Sequence, residues 1–144
     1  MEPLNYMKLE IPAISSNESF ARSAVASFSS ILNPTVEEMN DIKTAVSEAV
    51  TNCVIHAYDM QDLGIITITT RVYIDKIEII ICDTGKGIAD IDKAMQPFFT
   101  TGDAEERSGM GFTMIDALMS SLNVESKLSV GTTVVMSKKI LSED

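Results

Sequence analysis

The chain is predicted to fold as one α+β domain over residues 1–144, a two-layer α/β sandwich whose largely antiparallel, mixed sheet carries helices on one face. Three observations predict this. The apolar pattern gives the order strand, two helices, two strands, helix, two strands. Consecutive strands are separated by too few residues for a crossover helix, so neighbours must pair antiparallel. Each helical segment has a single apolar stripe, which suits helices laid against one side of a sheet.

Met7, Leu9 and Ile11 alternate with polar residues and mark a first strand ending at Pro12. Ser15 and Glu18 match the S-x-x-E capping pattern and predict a helix from about Ser16, with a stripe of Phe20, Ala24, Phe28, Ile31 and Leu32. A second capping pattern, Thr35 with Glu38, opens a longer helix whose stripe is Met39, Ile42, Val46, Ala49, Val50 and Cys53. Ile66–Ile74 and Ile77–Cys82 are β-branched runs joined by Asp75-Lys76, which predicts a hairpin. A short helix is expected over Asp90–Met95, then a polar loop from Thr100 to Ser108. A last helix carries Phe112, Ile115, Leu118, Met119 and Leu122, and two strands around Val124 and Thr132–Ser137 close the chain through a turn at Gly131.

Composition narrows the function. The net charge of −10 opposes direct nucleic-acid binding, which needs a basic stripe, and favours a basic protein partner. No apolar run approaches the ~20 residues of a membrane span, and the N-terminus lacks the basic and apolar regions of a signal peptide. A cytoplasmic location is therefore expected. Cys53 and Cys82 sit among apolar neighbours and are read as buried reduced thiols; with one histidine in the chain, a zinc site is not expected.

Three short segments could carry chemistry. Glu48 and Asn52 are four apart on the long helix, so their side chains are neighbours pointing away from the Val46–Val50–Cys53 stripe. By itself such a pair is also what a solvated face offers, although Ala45, Thr51 and Ile55 beside it are not typical of one. Asp83-Thr84-Gly85-Lys86-Gly87 places a carboxylate at a strand end, able to accept from an exocyclic amine, with Gly85 and Gly87 letting backbone approach a ligand. A plain Asp-Gly turn has the same look. Arg107-Ser108-Gly109-Met110-Gly111 precedes a helix, whose free amides and adjoining guanidinium suit phosphate.

The three in this order resemble the ATP-binding motifs of the GHKL superfamily across residues 40–135, and Gly131-Thr132-Thr133 matches its last adenine-side motif. Within it the chain resembles the anti-sigma-F family of serine protein kinases from endospore-forming bacteria. Asn17–Arg22, Ser47–Asn52 and Glu106–Thr113 carry the likeness; Ala57 stands where that family has glycine, and Gly102 where it has a lid lysine.

The resemblance implies phosphotransfer from ATP to a serine of an anti-anti-sigma protein, and sequestration of a sporulation sigma factor by an ATP-loaded homodimer. It makes Glu48 the general base and Arg107 a stabiliser of transferring charge. Asn52 becomes the Mg²⁺ ligand and Asp83 the reader of adenine in ATP or ADP. Gly85, Gly87, Thr100, Thr101, Ser108, Gly109, Met110, Gly111 and Thr132 fall in the nucleotide site, and Arg22 on the partner surface. Two other readings fit the same motifs: a stress-response anti-sigma kinase of the superfamily, and a sigma-binding module in which ATP is only structural. The compact Arg-Ser-Gly-Met-Gly segment opposes the first, and the intact Glu48 opposes the second.

Overall fold

A computed structural model of the chain describes residues 2–57, 64–85 and 111–141. Strand β1 (Asn5–Pro12) leads into helix α1 (Asn17–Ser29), a 3₁₀ turn (Ser30–Leu32) and helix α2 (Val36–Asn52), which runs on into a π-helical turn (Cys53–Ala57). Strands β2 (Ile65–Val72) and β3 (Lys76–Asp83) form the hairpin, and helix α3 (Gly111–Leu118) precedes β4 (Ser121–Lys127) and β5 (Gly131–Lys139). The strand order is β1-β2-β3-β5-β4. All four pairings are antiparallel, so the sheet described is uniformly antiparallel rather than mixed.

Period-two burial on the central strands fixes which face meets the helices. Ile66, Ile68, Thr70 and Val72 of β2 and Ile77, Ile79, Ile81 and Asp83 of β3 point inward, joined by Val134 and Met136 of β5. Ile42, Ala45, Val46, Ala49 and Val50 of α2 meet them, with Phe112 and Ile115 from α3. Each fully buried Ile contributes about 1.5–3 kcal/mol of transfer free energy, so this layer holds α2 in place. Helix α2 starts as its sequence indicates: the Thr35 hydroxyl accepts from the Glu38 amide at 3.0 Å, and Glu38 Oε1 accepts from the Thr35 amide at 2.8 Å.

Helix α1 departs from expectation twice. Its first turn has no side-chain cap: the Glu38-like role is not taken by Glu18, whose amide bonds the Ser15 carbonyl and whose carboxylate turns to Arg22. Its buried face is Ala21, Val25, Ala26 and Ser29, one position on from the predicted stripe, and Phe20 is 54% exposed. These small side chains let α1 approach α2 closely, and phenylalanines on that face would hold the two helices apart. Phe28 and Leu32 pack only at the core margin.

Glu38 has a second use. Its Oε2 accepts from the Leu141 amide at 3.0 Å, tying the end of β5 to the start of α2. Burial works against its charge, but the amides of Leu141 and Thr35, the Thr35 hydroxyl and Lys138 outweigh it and hold its carboxyl below the ordinary 4.5. The stability this carboxylate contributes is present above 4.5 and lost as pH falls through its lowered value.

Candidate functional site

Lys138 decides which ends of the elements come together. Its Nζ donates to Asp41 Oδ2 at 2.9 Å and to the Leu118 carbonyl. The start of α2, the end of α3 and the far end of β5 therefore meet at one pole. Helix α2 then runs about 16 Å from Asp41 to its C-terminus, so Asn52 lies toward the opposite pole, as does the Gly111 end of α3. The same pole receives the end of β3 and the start of β5, where Asp83 pairs with Thr132. Four of the predicted site residues, Asn52, Asp83, Gly111 and Thr132, are thus gathered at one end of the domain.

Asp83 is the best-defined of them. Its Oδ1 accepts from the Gly85 amide at 2.9 Å, closing the turn that ends β3 in the way an Asp side chain stabilises a tight turn. Its Oδ2 lies 3.5 Å from Cys53 Sγ, a contact that joins the end of α2 to the end of β3. Desolvation pushes its carboxyl above the ordinary 3.8, and the amides of Gly85 and Thr132 and the Cys53 thiol offset only part of this. A carboxylate kept in such surroundings must be matched by a polar ligand or bear a desolvation cost.

Gly131 sets how closely β5 can approach this turn. It adopts φ +140°, and a Cβ there would sit 2.1 Å from the Asp83 carbonyl oxygen and 2.8 Å from Thr84 Cα. Only glycine fits. Beside it Ser126 Oγ donates to the Gly131 carbonyl at 3.0 Å and lies 2.7 Å from the Thr132 hydroxyl. The Thr132 side chain is thereby held from β4, across the Ser126–Thr132 register. Sequence patterning did not single out Ser126, because only the strand register brings it there. The sequence reads Cys53 as a buried reduced thiol, and its position directly after Asn52 is the one signal of more.

Glu48 and Asn52 are both half-buried on the face of α2 turned from the core, as their spacing predicts. The π-helical turn begins at Cys53, and such turns recur at functional sites because they re-aim the residues around them. Arg22 is less exposed than its position predicts, at 38% of its side chain. It bonds Glu18 at 3.4 Å and Ser19 at 3.3 Å on its own helix and reaches across the α1–α2 seam to Ser47 at 3.4 Å. With Asn40, Lys43, Thr44 and Ser47 it lines a cavity of about 430 Å³. The expected Asp90–Met95 helix and Gly87, Thr100, Thr101, Arg107, Ser108, Gly109 and Met110 lie outside the described residues.

A helix end, a carboxylate at a strand end and a glycine-gated strand are grouped at one pole of the antiparallel sheet, an arrangement suited to a nucleotide. A family model described as "Histidine kinase-like ATPase domain" matches residues 12–138. Among solved structures, the chain superimposes on the RsbU and RsbW domains of Rv1364c from Mycobacterium tuberculosis with a TM-score of 0.69 at 18% identity, covering 96% of this chain and 32% of that one. It superimposes on the catalytic domain of histidine kinase ThkA with a TM-score of 0.60 at 14% identity, covering 95% and 97%. Those likenesses concern the fold. Sequence relatives are nearer: "Anti-sigma F factor" of Caldanaerobacter subterraneus subsp. tengcongensis is 56% identical over 140 residues, 97% of both chains. Proteins of the same name from a Thermoanaerobacter species and from Clostridium novyi are 55% and 50% identical, over 99% and 96% of both chains. The chain belongs to the histidine kinase-like ATPase family and, within it, to the anti-sigma F factors. Membership makes it an ATP-binding domain of the phosphotransfer type. Among the described residues, no helix is long and apolar enough to cross a membrane.

Proposed function

We propose that this protein is a cytoplasmic, homodimeric serine kinase that phosphorylates an anti-anti-sigma protein with ATP and, when ATP-loaded, holds a sporulation sigma factor. The observation that carries this reading is the convergence of Asn52, Asp83 and Thr132 at one pole, with Glu48 one helical turn behind Asn52 on the same face. Asp83 accepts a hydrogen bond from the adenine amine, with Thr132 beside it. Glu48 takes the proton of the acceptor serine as its oxygen attacks the γ-phosphorus, while ADP leaves. Asn52 offers a neutral amide oxygen of the kind a hard cation accepts, and its half-buried place at the end of α2 fits that use. When bound, Mg²⁺ supplies neutralisation of the phosphate charge. Incubation with labelled ATP and candidate anti-anti-sigma proteins tests the reading: phosphoserine on one of them is expected, and none on any would refute kinase activity.

Base recognition has its own test. In Asp83→Asn the amide cannot accept through both positions, and its NH₂ meets the Cys53 thiol or the Gly85 amide, donor against donor. Loss of one charge-assisted hydrogen bond costs about 1.5–3 kcal/mol, so ATP and ADP should both bind roughly ten- to a hundredfold more weakly. In the parent protein, nucleotide affinity should fall on acidification starting above pH 3.8, since burial raises the Asp83 carboxyl. In the variant that pH dependence should vanish. Calorimetry across pH reads both.

Arg22 is our candidate for the partner surface. Its three hydrogen bonds are long, so the guanidinium is loosely held and can be recruited by a partner carboxylate. A partly exposed ion pair such as Arg22–Glu18 is worth at most about 1 kcal/mol, so Arg22→Ala should fold and bind ATP normally. Its affinity for the sigma factor, the anti-anti-sigma protein or both should drop, and the drop should be larger at low salt. Pull-down at two salt concentrations checks this; undiminished binding of both partners would move the surface elsewhere.

A further inference from the structure

Cys53 is 4% exposed, and its sulfur contacts a carboxylate oxygen rather than only apolar neighbours. An ionised carboxylate only accepts, so the thiol must be the donor in this contact. We propose that Cys53 is a positioning residue for base recognition, its S–H bond to Asp83 Oδ2 fixing the plane of the carboxylate that meets the adenine amine. The inference rests on the reading of Asp83 given above and names the group that makes that reading selective.

The geometry supports it in two ways. Rotation of an Asp carboxylate about its last torsion is broad and intrinsically weakly restrained. Here Gly85 N–H meets Oδ1 at 2.9 Å and Cys53 S–H meets Oδ2 at 3.5 Å, so the plane is set from two sides, with the Thr132 amide as a further donor. A carboxylate has about four acceptor sites, so three donors leave one for a ligand amine. Second, Cys53 is the first residue of the π-helical turn and follows Asn52 directly, so the backbone that ends α2 also anchors the base-reading carboxylate. A packing role alone would explain the burial but not a donor aimed at the one buried carboxylate among the described residues.

The test uses the full chain with Cys53→Ala, Cys53→Val, which restores volume without a donor, and Cys53→Ser, which restores a donor. ATP affinity is compared by calorimetry with that of purine riboside triphosphate, which lacks only the amine. In the parent, ATP should be preferred roughly tenfold or more. Cys53→Ala and Cys53→Val should lower ATP affinity roughly three- to tenfold, with little change for the analogue, so the preference shrinks. Cys53→Ser should restore the preference to within about twofold of the parent. If Ala and Val variants keep the parent's preference while melting at lower temperature, Cys53 only packs and the inference is overturned. Asp83→Asn is measured alongside: if it also keeps the preference, Asp83 does not read the amine and the underlying reading has failed; if it abolishes the preference while the cysteine variants do not, the inference alone has failed.

Discussion

Glu48→Gln is expected to slow phosphoserine formation by about two to four orders of magnitude, the typical contribution of a general base, while ATP binding stays within about twofold. The amide is nearly isosteric with the carboxylate, so the half-buried position on α2 keeps its packing and the helix its length. A glutamine cannot take the proton of an attacking hydroxyl. Glu48 lies one turn before Asn52, and the two side chains are neighbours on one helix face, with Cβ atoms about 5–6 Å apart. In the proposed mechanism, that spacing puts a base next to the phosphate end of the nucleotide. Single-turnover phosphorylation and calorimetry on the same preparation separate the two steps. Near-normal phosphorylation by the variant would remove Glu48 from the mechanism, and lost ATP binding would make it a structural residue.

Gly131→Ala should be the most damaging single methyl group in the described structure. Its Cβ would lie 2.1 Å from a backbone oxygen and 2.8 Å from a backbone carbon, neither of which can swing aside as a side-chain tip can. The φ of +140° adds a conformational cost of about 1–3 kcal/mol for any residue with a Cβ. Overpacking adds a similar amount, so destabilisation of about 3 kcal/mol or more is expected. The start of β5 can relieve the clash only by drawing away from β3, which separates Thr132 from Asp83. Nucleotide affinity should therefore fall more than tenfold even where the variant remains folded. Thermal melts with and without ATP check both effects: the parent's transition should rise with nucleotide, and the variant's should be lower and respond little.

Much of the site was legible because its signals are local. The Thr35–Glu38 cap and the Ile42–Val46–Ala49–Val50 stripe each lie within one helix, and both appear as written. The hairpin followed from two β-branched runs and a short polar link, and the strand ends differ from expectation by one or two residues. The turn at Asp83–Gly85 is also local, since Asp bonds an amide two residues on.

What was not legible depends on distance in the chain. Helix α1 offers two adjacent stripes, Phe20–Ala24–Phe28 and Ala21–Val25–Ser29, and hydrophobicity favours the first. Close packing on α2 chose the second, because buried volume between helices rewards small side chains over apolar ones. Arg22 was in turn drawn into the α1–α2 seam and onto Ser47, twenty-five residues away.

The amino-acid sequence by itself determined the class of fold, the order of the described helices and strands, and the short motifs of the family, since periodicity, caps and short motifs act over a few residues. Only the tertiary structure decided that Cys53 touches Asp83 across thirty residues, that Ser126 holds Thr132, and that Gly131 cannot carry a side chain. Those contacts come from strand register and the seating of α2 on the sheet. Both are set by collective burial of the core, which no local stretch of sequence encodes.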